Sequence, residues 1–238
     1  MAASISSSPP PPGQDLLGQT VLLIGGSSGI GLEAARLARA QGAHIILTAR
    51  NPDRLYRAGL ELRASIAAFD ATDFGRLGRF FDALPAPIDH LLITGPGPYH
   101  SRLAEFDLDA ARRDINAHLL LPLQVATNAA RKVRPGGTLL FLGGDCSRRA
   151  ATGVAFTAAL TAALSAVTRD LALEVAPLRI NLIVAGHAGT LPGGTRTDGR
   201  VVGPSSIAAL AVHLMTNTAV TGATFDIDID SGQRVGER

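Results

Sequence analysis

The chain has 238 residues, 46% hydrophobic and 18% charged, which is enough apolar material for a buried core and too much for a disordered chain. The net charge of +2 comes from scattered arginines with only short clusters, Arg112-Arg113 and Arg148-Arg149, so there is no basic stripe for nucleic acid. The single cysteine, Cys146, excludes an intrachain disulfide and suits a cytoplasmic protein, and no apolar run approaches the ~18 charge-free residues of a membrane span.

Residues 1–17, "MAASISSSPPPPGQDLL", lack a basic n-region and an apolar h-region, so they read as a flexible Ser/Pro-rich arm ahead of one domain over 18–238. "TVLLIG" is a buried strand followed by glycines, and "LEAARLARAQG" has helical spacing up to a glycine stop. "AHIILTA" is the next strand, and Pro52 sits near a helix start. A short strand over 65–69 and a helix over 72–84 follow, stopped by Pro85 and Pro87. "IDHLLIT" is a strand that ends in the loop "GPGPYHS", and residues 108–133 form a long helical region expected to kink near Pro122. "GGTLLFLGG" is a strand, residues 155–176 a helix, "LRINLIVAG" a strand, residues 207–216 a helix and "ATFDIDID" the closing strand. Apolar strands alternating with helices specify a doubly wound α/β fold, a parallel sheet of Rossmann type with helices on both faces. Ligands in such folds bind beyond the carboxyl ends of the strands.

The first strand runs into "IGGSSGIG", where Gly25, Gly29 and Gly31 are spaced for a tight strand-to-helix turn that lets the backbone approach a pyrophosphate. The second strand ends "ILTARN". Ala49 occupies the position of the usual ribose-binding acid, and Arg50 follows. A guanidinium pairs with a 2′-phosphate that a carboxylate would repel, so NADP is expected as cofactor. Asp70 either accepts from the adenine amino group or caps the helix that follows it.

These motifs resemble the short-chain dehydrogenase/reductase family over residues 18–232. "GGSSGIG" resembles its cofactor loop, "FDATD" its adenine-binding segment, "LLITGPG" its Asn-Asn-Ala-Gly segment with Thr94 and Gly95 in place of the asparagines, and "DINAHL" the helix of its active-site asparagine. "TRDLALEVAPLRINLIVAG" resembles the stretch leading to its Pro-Gly motif, here Ala185-Gly186, and "TGATFDIDIDSG" its closing strand. The resemblance implies cofactor contacts from Gly25, Ser27, Ser28, Gly29, Ile30, Gly31, Arg50, Asp70, Ala71, Gly95 and Thr190, and an active-site role for Asn116.

The family's chemistry uses a Ser, a Tyr and a Lys, and the chain departs from all three. Anchored on "TRDLALEVAP", the Tyr and Lys positions are Thr157 and Thr161, or Phe156 and Leu160 with a one-residue shift, and the Ser position is Gly144. Tyr56 and Tyr99 are the only tyrosines and Lys132 the only lysine, so no Tyr-x-x-x-Lys exists in any register. Substitute proton donors are Asp145, if burial raises its pKa, and Thr157, although an aliphatic hydroxyl is a poor acid next to a phenol of pKa ~10. Tyr99, His100 and His187 follow strands and could line the site, whereas His118, two positions from Asn116, is expected to face elsewhere. Residues 187–204 form a short glycine-rich segment where the family carries a longer lid, and it is expected to be mobile.

Three functions fit: an NADP-dependent oxidoreductase with a non-standard proton donor acting on an unknown small molecule, a catalytically silent NADP-binding protein, or a non-redox isomerase, cyclase or lyase on the same fold. The first is preferred, because so long a resemblance usually keeps the reaction class. The alanine-rich helix over 155–176 points to a homodimer or homotetramer. Neither nucleic acid nor a membrane is expected as a partner, and no metal site is read.

Overall fold

A computed structural model describes residues 15–85, 87–97, 99–144, 152–185, 195–197 and 200–227. In chain order the elements are β1 (Thr20–Ile24), α1 (Gly29–Ala40), β2 (His44–Ala49), α2 (Pro52–Leu62), β3 (Ser65–Ala68), α3 (Phe74–Ala83) and β4 (Ile88–Ile93). A 3₁₀ turn (Leu103–Glu105), α4 (Leu108–Ile115), a π-turn (Asn116–Leu120), α5 (Leu121–Lys132) and β5 (Val133–Gly143) follow. The last part of the chain holds α6 (Ala155–Glu174), β6 (Arg179–Ala185), β7 (Thr195–Thr197), β8 (Arg200–Val202), α7 (Pro204–Thr216) and β9 (Thr224–Ile227).

The main sheet has seven strands in the order β3-β2-β1-β4-β5-β6-β9, and each pairing is parallel. This is the single-domain Rossmann-type α/β fold expected from the sequence. Successive side chains of a strand point to opposite faces, so a strand covered on both sides is apolar over most of its length. In β1, Val21 and Leu23 enter a core with Ala34, Ala35 and Ala38 of α1 and Ile207, Ala208 and Ala211 of α7. Leu22 and Ile24 enter a second core with Leu77 and Phe81 of α3, Val125 and Ala129 of α5 and Leu164 of α6. The small side chains of α1 allow it to lie close to the sheet.

Three expected boundaries move. α3 starts at Phe74 and not at Thr72, because the Asp73 carboxylate accepts from the Arg76 amide at 3.0 Å and caps the helix. Asp70 therefore does not cap α3. Its Oδ1 accepts from the Thr72 amide at 2.9 Å and the Thr72 hydroxyl at 2.7 Å, closing the turn before it. The long helix over 108–133 breaks at the π-turn, one residue before α5 begins, and Pro122 sits harmlessly in the first turn of α5, where its missing N–H has no helical partner to lose. Part of the expected mobile segment forms an antiparallel pair, β7 with β8, and its end opens α7 at Pro204; residues 187–194 and 198–199 of it lie outside the described residues. So do residues 1–14 of the expected flexible arm, but its last residues belong to the fold, because Leu16 is buried in the core.

α6 is, among the described residues, the one helix long and apolar enough to cross a membrane by length and composition, against the expectation from the sequence. Here it lies along β6, burying Thr157, Leu160, Thr161, Leu164, Thr168 and Ala172.

At the opposite end of the sheet from the glycine loop, Arg179 is buried at the start of β6. Its guanidinium donates to the carbonyls of Leu214 (2.9 Å), Met215 (2.7 Å) and Asn217 (2.7 Å) and to the Thr138 hydroxyl (2.5 Å). The last carbonyls of α7, which no helical amide can satisfy, thus find their donors in one side chain.

Candidate functional site

The strand order reverses between β1 and β4, since β1 continues to β2 on one side while β4 opens the other half of the sheet. The loops diverge there and leave a crevice at the carboxyl edge. A cavity of about 820 Å³ occupies it.

The glycine loop forms its floor. The amides of Gly25 and Gly26 both donate to the Thr48 carbonyl, at 2.9 and 3.2 Å, which turns the chain sharply out of β1. Gly25 has φ +89°, and a Cβ there would collide with the Thr94 carbonyl oxygen. A Cβ on Gly31 would stand 2.6 Å from the Gly25 carbonyl and 2.7 Å from Thr94 Oγ1. Gly31 is therefore a packing glycine and does not line the cavity, whereas Gly25, Ser27, Ser28, Gly29 and Ile30 do. Thr94 clasps the loop: its amide donates to the Ile24 carbonyl at 2.8 Å and its hydroxyl to the Gly25 carbonyl at 3.0 Å.

Three observations suit this floor to a dinucleotide. Ser28, the N-cap of α1, makes no side-chain cap, so among the described residues the amides that open the helix have no side-chain acceptor, and the positive end of the helix dipole suits an anion there. Gly29, at φ +56°, and Gly95 have open space where a Cβ would stand, so the backbone can approach a ligand closely. Thr48 lines the same cavity, and its hydroxyl is buried without a hydrogen-bond partner among the described residues.

At one end the walls are Arg50, Asn51, Arg54, Asp70, Ala71 and Thr72. The Asn51 side chain accepts from the Arg54 amide at 2.8 Å and caps α2, which places Arg54 one turn from Arg50 on the same rim. Arg54 is missing from the residues expected from sequence, where it reads as an ordinary helix arginine; the signal was the Asn-Pro start that aims the first turn of α2 at the crevice. Burial works against the Asp70 carboxylate, but hydrogen bonds from Thr72 and the charge of Arg50 hold its pKa below the usual carboxylate range.

The other end is lined by Ile93–Gly97, His100, Ala117, His118, Leu121, Pro122, Phe141–Gly144, Leu164 and Ala185. Two expected catalytic residues are placed elsewhere. Thr157 is fully buried, and its hydroxyl donates to the Tyr99 carbonyl at 3.1 Å; it does not line the cavity. Asn116 is exposed at the first position of the π-turn, and the wall is made by Ala117 and His118. The expectation that His118 faces away from the site is thus reversed: it lines the cavity and Asn116, two positions earlier, does not. Tyr99 also turns from the cavity: its hydroxyl donates to the Glu105 carbonyl at 3.2 Å and its amide to the Asp114 carboxylate. Asp145, Cys146, Arg148, Arg149, Gly186, His187 and Thr190 lie outside the described residues. Among the described residues no cluster of His, Cys, Asp or Glu could hold a metal ion.

A doubly wound sheet with a glycine-floored crevice at its switch point defines a dinucleotide-binding protein. A family model described as enoyl-(acyl carrier protein) reductase matches residues 25–232, and the chain belongs to the short-chain dehydrogenase/reductase family of oxidoreductases, which bind nicotinamide cofactors. It is 28% identical over 240 residues to the short-chain dehydrogenase/reductase ATR9 of Stachybotrys chlorohalonatus, covering 88% of this chain and 95% of that protein. Among solved structures, the MalC reductase/Diels-Alderase of Malbranchea aurantiaca superposes with a TM-score of 0.80 at 23% identity, over 91% of this chain and 97% of the other. BdcA in complex with NADPH superposes with a TM-score of 0.81 at 25% identity, over 90% and 95%.

Proposed function

We propose that the protein is an NADP-dependent oxidoreductase whose proton step uses none of the family's Ser, Tyr and Lys. The observation that carries the cofactor choice is the pairing of Arg50 with Arg54 on one rim, where Ala49 replaces the usual acid. Two guanidiniums there suit a 2′-phosphate, and an unshielded carboxylate does not oppose them. The similarity to BdcA, solved with NADPH, supports the same choice. The uncapped amides of α1 would hold the pyrophosphate, Asp70 and Ala71 the adenine, and Gly95 the backbone approach on the far side. When bound, the reduced nicotinamide supplies a hydride; the chain binds it, orients it and handles the accompanying proton. Isothermal calorimetry tests this: NADPH binds at least tenfold tighter than NADH, and an Arg50→Ala, Arg54→Ala double variant removes the preference. Equal affinities for the two cofactors refute NADP selectivity, and no heat with either at millimolar concentration refutes the redox reading.

A second reading is a ring-forming or isomerising activity in the same cavity. It is motivated by the absence of any Tyr-x-x-x-Lys and by the structural likeness to a protein described as both reductase and Diels-Alderase. Product formation without NADPH oxidation would establish it over the first.

We further propose that the chain self-associates through α6, whose outward stripe carries the exposed Ala159, Ala162 and Leu173. Light scattering is expected to give a dimer or tetramer, and a pure monomer refutes the assembly.

A further inference from the structure

We propose that His118 is the proton-exchanging group of this site, presented to the cavity by the π-turn and balanced by Asp114. The inference rests on the redox reading above and supplies what that reading lacks, a named group for the proton.

Thr157 and Thr161, at the positions of the family's Tyr and Lys, are both buried, and neither lines the cavity. The Thr157 hydroxyl is already donated to the Tyr99 carbonyl. The titratable side chains that do line the cavity are, among the described residues, Arg50, Arg54, Asp70, His100 and His118. The first three stand at the end assigned to the adenosine. That leaves two imidazoles at the end formed by the tips of β4, β5 and β6, where a nicotinamide held by this floor would lie. His100 is exposed on the loop after β4, while His118 is part-buried on the wall between Ala117 and Leu121.

Three elements pack around the π-turn: α4, α5 and α6. From α4, Asp114 precedes His118 by one turn and raises its proton affinity. Arg112 on α4 is paired with Asp109 at 2.9 Å. Arg131 and Lys132 of α5 lie at its far end, as do Arg169, Asp170 and Glu174 of α6. His100 lines the same end of the cavity. Burial outweighs Asp114, so the imidazole is held below its ordinary pKa and is neutral at pH 7, the form that accepts a proton.

The position that the family gives to its acid is linked by hydrogen bonds to the carboxylate whose charge acts on this histidine. The Thr157 hydroxyl donates to the Tyr99 carbonyl, and the amide of the same Tyr99 donates to the Asp114 carboxylate. The helix that lost the acid therefore fixes the loop that orients the carboxylate beside its replacement.

The step balances as follows. In alcohol oxidation a bound oxidised nicotinamide would accept the substrate C–H hydride, while the O–H proton would pass to the unprotonated ring nitrogen of His118 as the oxygen pair closes the C=O bond. The imidazolium formed is stabilised by Asp114 and loses its proton to solvent. In reduction the same proton returns from imidazolium to the oxygen as the hydride reaches carbon, and the sum is carbonyl, NADPH and H⁺ giving alcohol and NADP⁺.

The test uses the full chain with labelled histidine, the His118 resonance being identified by its loss in His118→Gln. Saturating NADP⁺ is expected to lower the His118 pKa by at least half a unit, because a cationic ring now lies beside it. Adenosine 2′,5′-bisphosphate, which lacks the nicotinamide, leaves it in place, and His44 and His213 move with neither. Asp114→Asn lowers the His118 pKa in the free protein. In NADPH oxidation by 9,10-phenanthrenequinone, His118→Gln is at least tenfold slower in kcat with NADPH affinity within twofold. If calorimetry shows NADP⁺ bound and His118 does not respond, the proposal falls and the redox reading stands. Equal rates in the two proteins, zero included, also overturn the proton role. Absence of cofactor binding overturns the redox reading and the proposal together.

Discussion

Replacing Thr94 by valine isolates how the glycine loop is held. The change deletes the hydroxyl that donates to the Gly25 carbonyl but keeps the side-chain volume. One neutral hydrogen bond is worth roughly 0.5–1.5 kcal/mol, so NADPH affinity measured by calorimetry should fall about threefold to tenfold. Gly31→Ala is harsher, because its Cβ would stand 2.6 Å from the Gly25 backbone, which cannot yield without moving the loop; cofactor binding is expected to be lost. Thr157→Val separates a structural from a chemical role. The Tyr99 carbonyl then loses its donor, which should cost about 1–2 kcal/mol in urea unfolding, with NADPH affinity kept within twofold. A hundredfold fall in turnover with unchanged stability would instead return Thr157 to the list of proton donors.

At the level of elements, the alternation of strand and helix was legible because buried parallel strands are mostly apolar on both faces, as the runs over 21–24, 45–47, 91–93 and 182–185 are. The glycine floor was legible for a similar reason, as few residue types can turn that tightly. The π-turn was not. It depends on one extra residue in a helical turn, which leaves no mark in the hydrophobic period, and Pro122 drew attention to the wrong position. The spacing rule set His118 apart from Asn116, and the two do face apart; it is His118, not Asn116, that meets the wall. Arg54 was hidden differently, since its role comes from where α2 begins and not from its own neighbours in sequence. The cap that sets this start is testable. Asn51→Ala removes the acceptor for the Arg54 amide and should destabilise the protein by about 1 kcal/mol, with a weaker preference for NADPH over NADH.

Across the whole molecule, the end of the sheet far from the cavity is built from buried polar groups whose state matters to stability. His90 Nε2 lies 2.6 Å from Gln19 Oε1, its other ring nitrogen has no partner among the described residues, and burial pushes its pKa from 6.5 to about 4. Between those values the unfolded chain takes up a proton that the folded chain refuses. Stability is therefore full above pH 6.5 and falls as the pH drops towards 4, by roughly 2–3 kcal/mol at pH 4.5. Urea midpoints at pH 7 and 4.5 check this, and His90→Leu should flatten the difference. Arg179→Met strips the donors from the carbonyls of Leu214, Met215 and Asn217 at once, and a loss of roughly 3 kcal/mol or more, or failure to fold, is expected. The strand order carries a consequence of another kind. Leu22 of β1 pairs with Ile46 on one side and with Leu91 on the other, so its two neighbours are made at very different times. During synthesis β1, β2 and β3 can associate as soon as they emerge, while the other edge of β1 stays unpaired until β4 follows. Sheets closed by such distant pairings fold slowly and pass through states with open, apolar edges. The nascent chain is thus most exposed to aggregation after about a third of it has been made, and a stalled or truncated product ending before β4 should be the species that chaperones hold.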